Sequence, residues 1–409
     1  MRASDTASIL TGTLPVAVPD SSPVGGSALL HYWQLSSAAH RPGVRPLLYL
    51  GGGPGIPSYP PEPKSLPAWM KAVLDQFTIV GIDYRGAGQD QNAAAFLAHP
   101  HLAGVHSISL DLERLRNALF ADQPWHVLGY SYGGFVALGY ATFFPKSVLS
   151  LRFASGIPPI HLASDAVHAG LTAALVIENN RFSCLFPRLA GRIPEIASWI
   201  DRTAPRLKNG DVLSRARFQK IGTDIGMSYG FSEIARVLDQ WRPGSAHQSN
   251  FLAAVSELLP RWKHPAHAVL IDTIYAAPGE TLNWPASRAL DTSPSLRSSA
   301  ENLLFTGELA YPWMFEEYSN LRPYRRRAAV AQTASDWLPR VDERNIRSQS
   351  FVVRAVISGN DPYVPASHQL AALARLRGPN EVLLSDGGHD TLASNEAVQH
   401  LFPEISTIG

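Results

Sequence analysis

Cysteine is almost missing from this chain: Cys184 is the one thiol in 409 residues. It cannot close an internal disulfide, so no covalent framework of that kind holds the fold. No chemical motif surrounds Cys184, which is expected to be a small buried apolar residue in a reducing compartment. Excess charge of either sign is lacking too: 35 Lys and Arg stand against 34 Asp and Glu. The one run of basic residues, Arg325-Arg326-Arg327, has the character of a solvated helix face, and nucleic acid is excluded as a partner. No stretch approaches the roughly 18 apolar residues of a membrane span, so no membrane partner is expected. Met1–Ser22 lacks the continuous apolar segment of a secretory signal, and the expected location is cytoplasmic. The 14 histidines are scattered without H-E-x-x-H spacing. No metal and no organic cofactor is implied. Internal repeats and low-complexity segments are absent.

What is present is ample apolar material, 45% of residues against 17% charged, enough for a sizeable core. The length allows two or three domains. Up to about residue 154, short apolar runs alternate with helix-like segments. Strands are expected at Leu29–Leu35, 46–50, 77–82, Trp125–Tyr130 and 148–153, with a helix at Asp111–Ala121. Such alternation indicates a mostly parallel sheet covered on both faces. From 155 to about 335 the rhythm is lost. Helices at Ala163–Ile177, Phe231–Asp239 and Asn250–Leu259 lie among prolines, tryptophans and loops. Alternation resumes with a strand at 351–357, a helix at Ala366–Leu376, a strand at Glu381–Leu384 and a helix at Asn395–Leu401. A sheet domain interrupted by a mostly helical insertion is the economical reading.

The chemistry centres on Gly129-Tyr130-Ser131-Tyr132-Gly133-Gly134, behind one strand and ahead of a helix-like segment. On such a sharp turn the serine hydroxyl stands out above the sheet, and the flanking glycines leave room where a Cβ would clash. A nucleophilic serine needs a base and a group that orients the base. Asp361 follows the strand 351–357, and His389 lies in a glycine-flexed loop after Glu381–Leu384. Both therefore fall at the carboxyl ends of strands, the edge where open α/β sheets bind ligands. Asp386 and Asp390 rival Asp361 as the orienting acid. The backbone N–H of Tyr132, with that of Gly52 or Gly53, is the candidate oxyanion hole. Gly51-Gly52-Gly53-Pro54-Gly55 lacks the Lys-Ser/Thr of a P-loop and the G-x-G-x-x-G spacing of a dinucleotide site.

Gly-Gly-Pro-Gly after a strand, Asp83-Tyr84-Arg85-Gly86-Ala87-Gly88, the Ser131 motif, Asp361 and His389, in this order, resemble the proline iminopeptidase (prolyl aminopeptidase) family of α/β-hydrolases. The resemblance runs from about Leu47 to the C-terminus. It takes in Gly226-Met227-Ser228-Tyr229-Gly230-Phe231 and Gly307–Phe315, which are similar to segments of the larger members. It implies an α/β-hydrolase fold, with a mostly parallel, doubly wound sheet and a large helical cap inserted after the sixth strand. The catalytic domain would comprise residues 1–154 and 336–409, and the cap residues 155–335. In the family, cap carboxylates hold the substrate's free amino terminus. Glu308 is the expected anchor, ahead of Glu178, Glu257 and Glu280. Trp313, Tyr311 and Phe315, with Trp284, are expected around an apolar pocket for a prolyl ring.

Two positions depart from the family pattern. Gly51 stands where a histidine usually precedes Gly-Gly-Pro-Gly, and Gln89-Asp90 replaces a serine after the second motif. The implied function is release of N-terminal proline, or another small residue, from short peptides through an acyl-enzyme. The alternatives are an esterase, amidase or acyl-transferring enzyme acting on a small metabolite, and a non-catalytic binding protein of the same fold. The expected partner is a small peptide or small acyl substrate.

Overall fold

The computed structural model describes residues 7–17, 27–37, 44–87, 96–244, 248–259, 264–299, 301–346 and 351–407. Eight strands form one sheet: β1 (Ala7–Ala17), β2 (Ser27–Ser37), β3 (Arg45–Leu50), β4 (Phe77–Ile82), β5 (Trp125–Tyr130), β6 (Val148–Ala154), β7 (Val352–Ser358) and β8 (Asn380–Ser385). Their order is β1-β2-β4-β3-β5-β6-β7-β8. β1, β2 and β4 pair antiparallel, and every pairing from β4 through β8 is parallel. β1 was not expected from the sequence. It is a largely exposed edge strand, paired residue by residue with β2 from Ala7↔Ser37 to Ala17↔Ser27.

Alternation along each strand sends neighbours to opposite faces. Leu47 and Ile79 join a core with Trp69, Met70, Val398 and Leu401. Leu48 and Val80 join the larger core with Leu112, Leu115, Val136 and Leu138. The first face is therefore covered by the helices Ala68–Val73 and Asn395–Leu401. The second is covered by α1 (Val105–Phe120) and α2 (Tyr132–Phe143). Between β6 and β7 the chain is helical, including α3 (Ser164–Leu185), α4 (Gly230–Asp239), α5 (Ser249–Leu258) and the short α6 (Pro265–Leu270). Cys184 lies at the end of α3 and is exposed, against the expectation of burial, because its helical position faces away from the core.

Three glycines allow α2 to start where it does. A Cβ on Gly133 would lie 1.9 Å from the Leu50 carbonyl oxygen. One on Gly134 would lie 2.1 Å from the Gly156 oxygen, and one on Gly129 2.5 Å from the Gly133 oxygen. These neighbours are backbone and cannot rotate away. Overpacking of a rigid site costs about 1–3 kcal/mol and more where backbone must move. Gly133→Ala is expected to destabilise the protein by about 3 kcal/mol or more, read as a fall in the urea midpoint. A midpoint equal to the parent's contradicts this packing.

Candidate active site

Ser131 occupies the turn between β5 and α2 with φ 54 and ψ −127. A positive φ at a non-glycine residue is strained and persists only where the surroundings over-determine it. Here Ser131 N–H donates to the Ala154 carbonyl at 3.0 Å, and Gly134 N–H donates to the Ser131 carbonyl at 2.8 Å. The turn is thus tied to β6 on one side and α2 on the other.

His389 Nε2 lies 2.9 Å from Ser131 Oγ, and its Nδ1 lies 2.6 Å from Asp361 Oδ2. The other Asp361 oxygen accepts from the backbone N–H groups of Tyr363 and Val364 at 2.8 and 3.0 Å. One carboxylate oxygen is fixed by backbone donors, so the other is aimed at the imidazole. The rival acids do not meet His389. Asp390 is bonded to Ser228 N and Oγ, at 2.8 and 2.5 Å, and Asp386 is exposed. His389 is buried, which by itself lowers its pKa. The Asp361 charge and hydrogen bond, with Glu308 and Asp390, outweigh burial and raise it. Geometrically this is a hydroxyl, a base to receive its proton and an acid to hold that base.

The glycine loop after β3 closes the other side. Tyr132 is the first residue of α2, so its N–H has no acceptor within the helix. Gly52 abuts the serine, since a Cβ there would lie 3.5 Å from Ser131 Cβ. Gly53 packs on the Tyr132 ring. The Tyr84 hydroxyl donates to the Gly51 carbonyl at 2.8 Å, and Asp83 Oδ1 accepts from Ser58 N–H at 2.6 Å. Arg85 is held by Asp111 of α1 through two bonds, at 2.5 and 2.8 Å. The Asp83-Tyr84-Arg85 segment therefore acts as a bracket for the loops around the serine. Gln89 and Asp90 lie outside the described residues.

A cleft of about 690 Å³ opens above Ser131. Gly51–Gly53, Tyr84, Tyr130, Ser131 and His389 line it from the sheet side. From the helical side come Thr223, Asp224, Met227, Glu257, His264, His267 and Glu308. Glu308 faces the same cleft as the serine, with its side chain 36% exposed. Burial would raise its pKa, but the His267 hydrogen bond and the charges of His267, His389 and Lys220 hold it below the usual carboxylate range. Lys220 is buried and donates to the carbonyls of Gly307 and Leu309 at 2.6 and 2.7 Å, one on each side of Glu308. Burial pushes the Lys220 pKa down to about 7.

Several expected pocket residues lie elsewhere. Tyr311, Trp313 and Phe315 do not line the cleft. Phe315 is 1% exposed and packs on Trp284 with ring centres 5.8 Å apart. Tyr311 and Trp313 stack on each other and border a separate depression with Gln219 and Leu296. The physical reason is that these aromatics fill the core of the helical segment itself. Of the weaker carboxylates, Glu178 pairs with Arg181 at 2.8 Å, and Glu280 accepts from the backbone N–H of Ser164 and Ala277 at 2.9 and 3.0 Å. Glu257 lines the cleft and is 69% exposed. The aromatics that do line it are Tyr49, Tyr59, Tyr84 and Tyr130. Tyr84 and Tyr130 lie inside the quoted motifs, whereas His267 and Lys220 carry no motif that would have flagged them.

Among the described residues no group of three or more His, Cys, Asp or Glu is placed to hold a metal. No helix among them is long and apolar enough to cross a membrane.

Comparison with known proteins agrees with this geometry at the level of fold and family. Residues 45–220 match the model of the alpha/beta hydrolase fold family. The chain is 30% identical over 357 residues to a proline iminopeptidase of Aeromonas sobria, spanning 85% of this chain and 83% of that one. It is 26% identical over 380 residues to a proline iminopeptidase of Aspergillus aculeatus, spanning 87% and 84%.

The geometry sets a pH dependence. A base must be neutral to accept a proton, so activity should rise with pH through the raised His389 pKa. Replacing Asp361 by Asn removes the charge that most opposes burial. The rise should move to lower pH, and kcat should fall by about 10⁴. The kcat/KM profile of Asp361→Asn checks both; an unmoved limb contradicts the assignment.

Proposed function

Because this chain belongs to the proline iminopeptidase family of α/β-hydrolases, we propose that it is a serine aminopeptidase releasing N-terminal proline, or another small residue, from short peptides. The observation that carries this reading is the Glu308 carboxylate opening onto the same cleft as Ser131. A half-buried carboxylate there is a counter-charge for a substrate ammonium, which would otherwise be costly to desolvate.

In the proposed mechanism Ser131 Oγ attacks the carbonyl carbon of the N-terminal residue while His389 Nε2 takes the hydroxyl proton. Asp361 keeps the Nδ1–H tautomer and stabilises the imidazolium. The backbone N–H of Tyr132 and that of Gly52 or Gly53 receive the developing oxyanion. His389 then returns the proton to the leaving amine as the C–N bond breaks, giving an acyl-enzyme. Water, deprotonated by His389, hydrolyses the ester and restores Ser131. We propose residues 155–335 as the substrate-binding cap and residues 1–154 with 336–409 as the catalytic domain. No step draws on a cofactor.

A second reading is favoured by one observation: Glu308 is already bonded to His267. A carboxylate so engaged suits an esterase or amidase acting on an uncharged acyl group. Aminoacyl-naphthylamides separate the two readings. Glu308→Gln is expected to raise KM for the prolyl substrate by roughly 30-fold, about 2 kcal/mol, with a smaller change in kcat. Unchanged KM, with simple esters turned over, favours the second reading. Labelling by a fluorophosphonate that disappears in Ser131→Ala is expected on either. A protein that takes no label is a binding protein of this fold.

A further inference from the structure

Both ring nitrogens of His267 face acceptors. Nδ1 lies 2.9 Å from the Pro54 carbonyl oxygen, and Nε2 lies 3.1 Å from Glu308 Oε1. A neutral imidazole carries a proton on one nitrogen only, so this seat fits the imidazolium. His267 is 4% exposed, whereas Glu308 keeps an open side toward the cleft. The carboxylate is therefore flanked by a buried cation behind and by room for a second cation in front. When a substrate ammonium arrives, two positive charges share one carboxylate.

We propose that His267 positions Glu308 for the substrate's amino terminus and gives up its Nε2 proton when the ammonium docks. The proposal rests on the reading of Glu308 as the amine anchor. The proton leaves Nε2 for solvent through the cleft, and the ammonium replaces it as the positive partner, so the charge of the site is conserved. The freed Nε2 lone pair is then an acceptor beside the carboxylate. A prolyl ammonium has two N–H donors, one for Glu308 and one for His267. The Nδ1–H bond to Pro54 keeps the ring in place throughout.

The groups facing His267 include Glu308 from the Gly307–Leu309 turn, Lys220 behind that turn and the Pro54 carbonyl of the glycine loop. Asp224, Glu257, His264 and His389 line the same cleft. Burial lowers the His267 pKa, and the Glu308 hydrogen bond and charge more than reverse it. A like charge at close range lowers a pKa by roughly one to three units, enough to empty a site that is charged near neutrality.

Calorimetry on the full-length Ser131→Ala protein tests this, with L-prolinamide as ligand in phosphate and in Tris at pH near 7. The difference between buffers is expected to report close to one proton released per ligand bound. Equal heats in the two buffers overturn the proposal. Adding His267→Gln, whose amide still donates to Glu308, should abolish the release; release that persists there also overturns it. In the active enzyme, 1/KM for the prolyl naphthylamide should rise with pH. His267→Gln should flatten that rise, with KM about tenfold higher, the equivalent of one pK unit. The Ser131→Ala measurement keeps His267 intact and decides the question even if His267→Gln misfolds. Glu308→Gln separates the two readings. If it leaves prolinamide binding intact, the anchor reading falls and the proposal with it. If it abolishes binding while His267→Gln keeps both binding and proton release, the proposal alone falls. Absence of prolinamide binding to Ser131→Ala overturns both.

Discussion

The rest of the site depends on one steric constraint, the contact of backbone on backbone at the start of α2. Gly133 leaves no room for a side chain against the Leu50 carbonyl, and Gly134 none against Gly156. The turn that strains Ser131 and the loop that carries Gly52 are consequently one packed unit. β3, β5 and β6 are hydrogen-bonded neighbours, so the sheet delivers both loops to the same edge. Strain at Ser131 is offset by these contacts, as over-determination requires. Asp361 and His389 come to that edge from β7 and β8, and their own backbone bonds fix their aim.

The helical segment is fastened at several points to the loops that carry Asp361 and His389. His389 N–H donates to the Gly226 carbonyl at 2.8 Å. The Tyr363 hydroxyl bonds Thr223 and Gly226, at 2.8 and 2.9 Å. Ser228 is bonded to Asp390. On the other side, Gly55 packs so closely on α6 that a Cβ would meet Ala266 at 2.6 Å, and His267 reaches Pro54. The segment therefore touches the loop of His389, the proposed base, and the loop of the proposed oxyanion hole directly. These hydrogen bonds join the helical segment proposed to hold the substrate to the loops proposed to react with it.

Much of this arrangement was legible in the sequence because its signals are local. Apolar runs ending in glycine or in Ser-Gly-Asn-Asp mark strands that stop at a common edge. The Ser131 motif also forces its own turn. β1 was not legible, because Ala7–Ala17 interrupts its apolar residues with Ser8, Thr11, Gly12, Thr13 and Pro15 and gains its order from β2. An edge strand tolerates such a composition. The aromatics Tyr311, Trp313 and Phe315 were misplaced because aromatic spacing is the same for a core and for a pocket wall. Cys184 was misplaced because burial of one residue on a long helix depends on which neighbours reach it. His267 and Lys220 could not be found by spacing, since each acts on Glu308 from a distant part of the chain.

The Pro54–His267–Glu308 chain has a consequence for how such a protein can change over generations. On the proposed reading, a substitution at Glu308 or His267 that retunes the grip on the substrate's end group also tugs on the glycine loop through Pro54. Binding preference and turnover are then not separate dials. New specificities would be reached through paired changes, one in the helical segment and one in the glycine loop. The Gly51 position, at the start of that loop, is where a compensating partner would be sought.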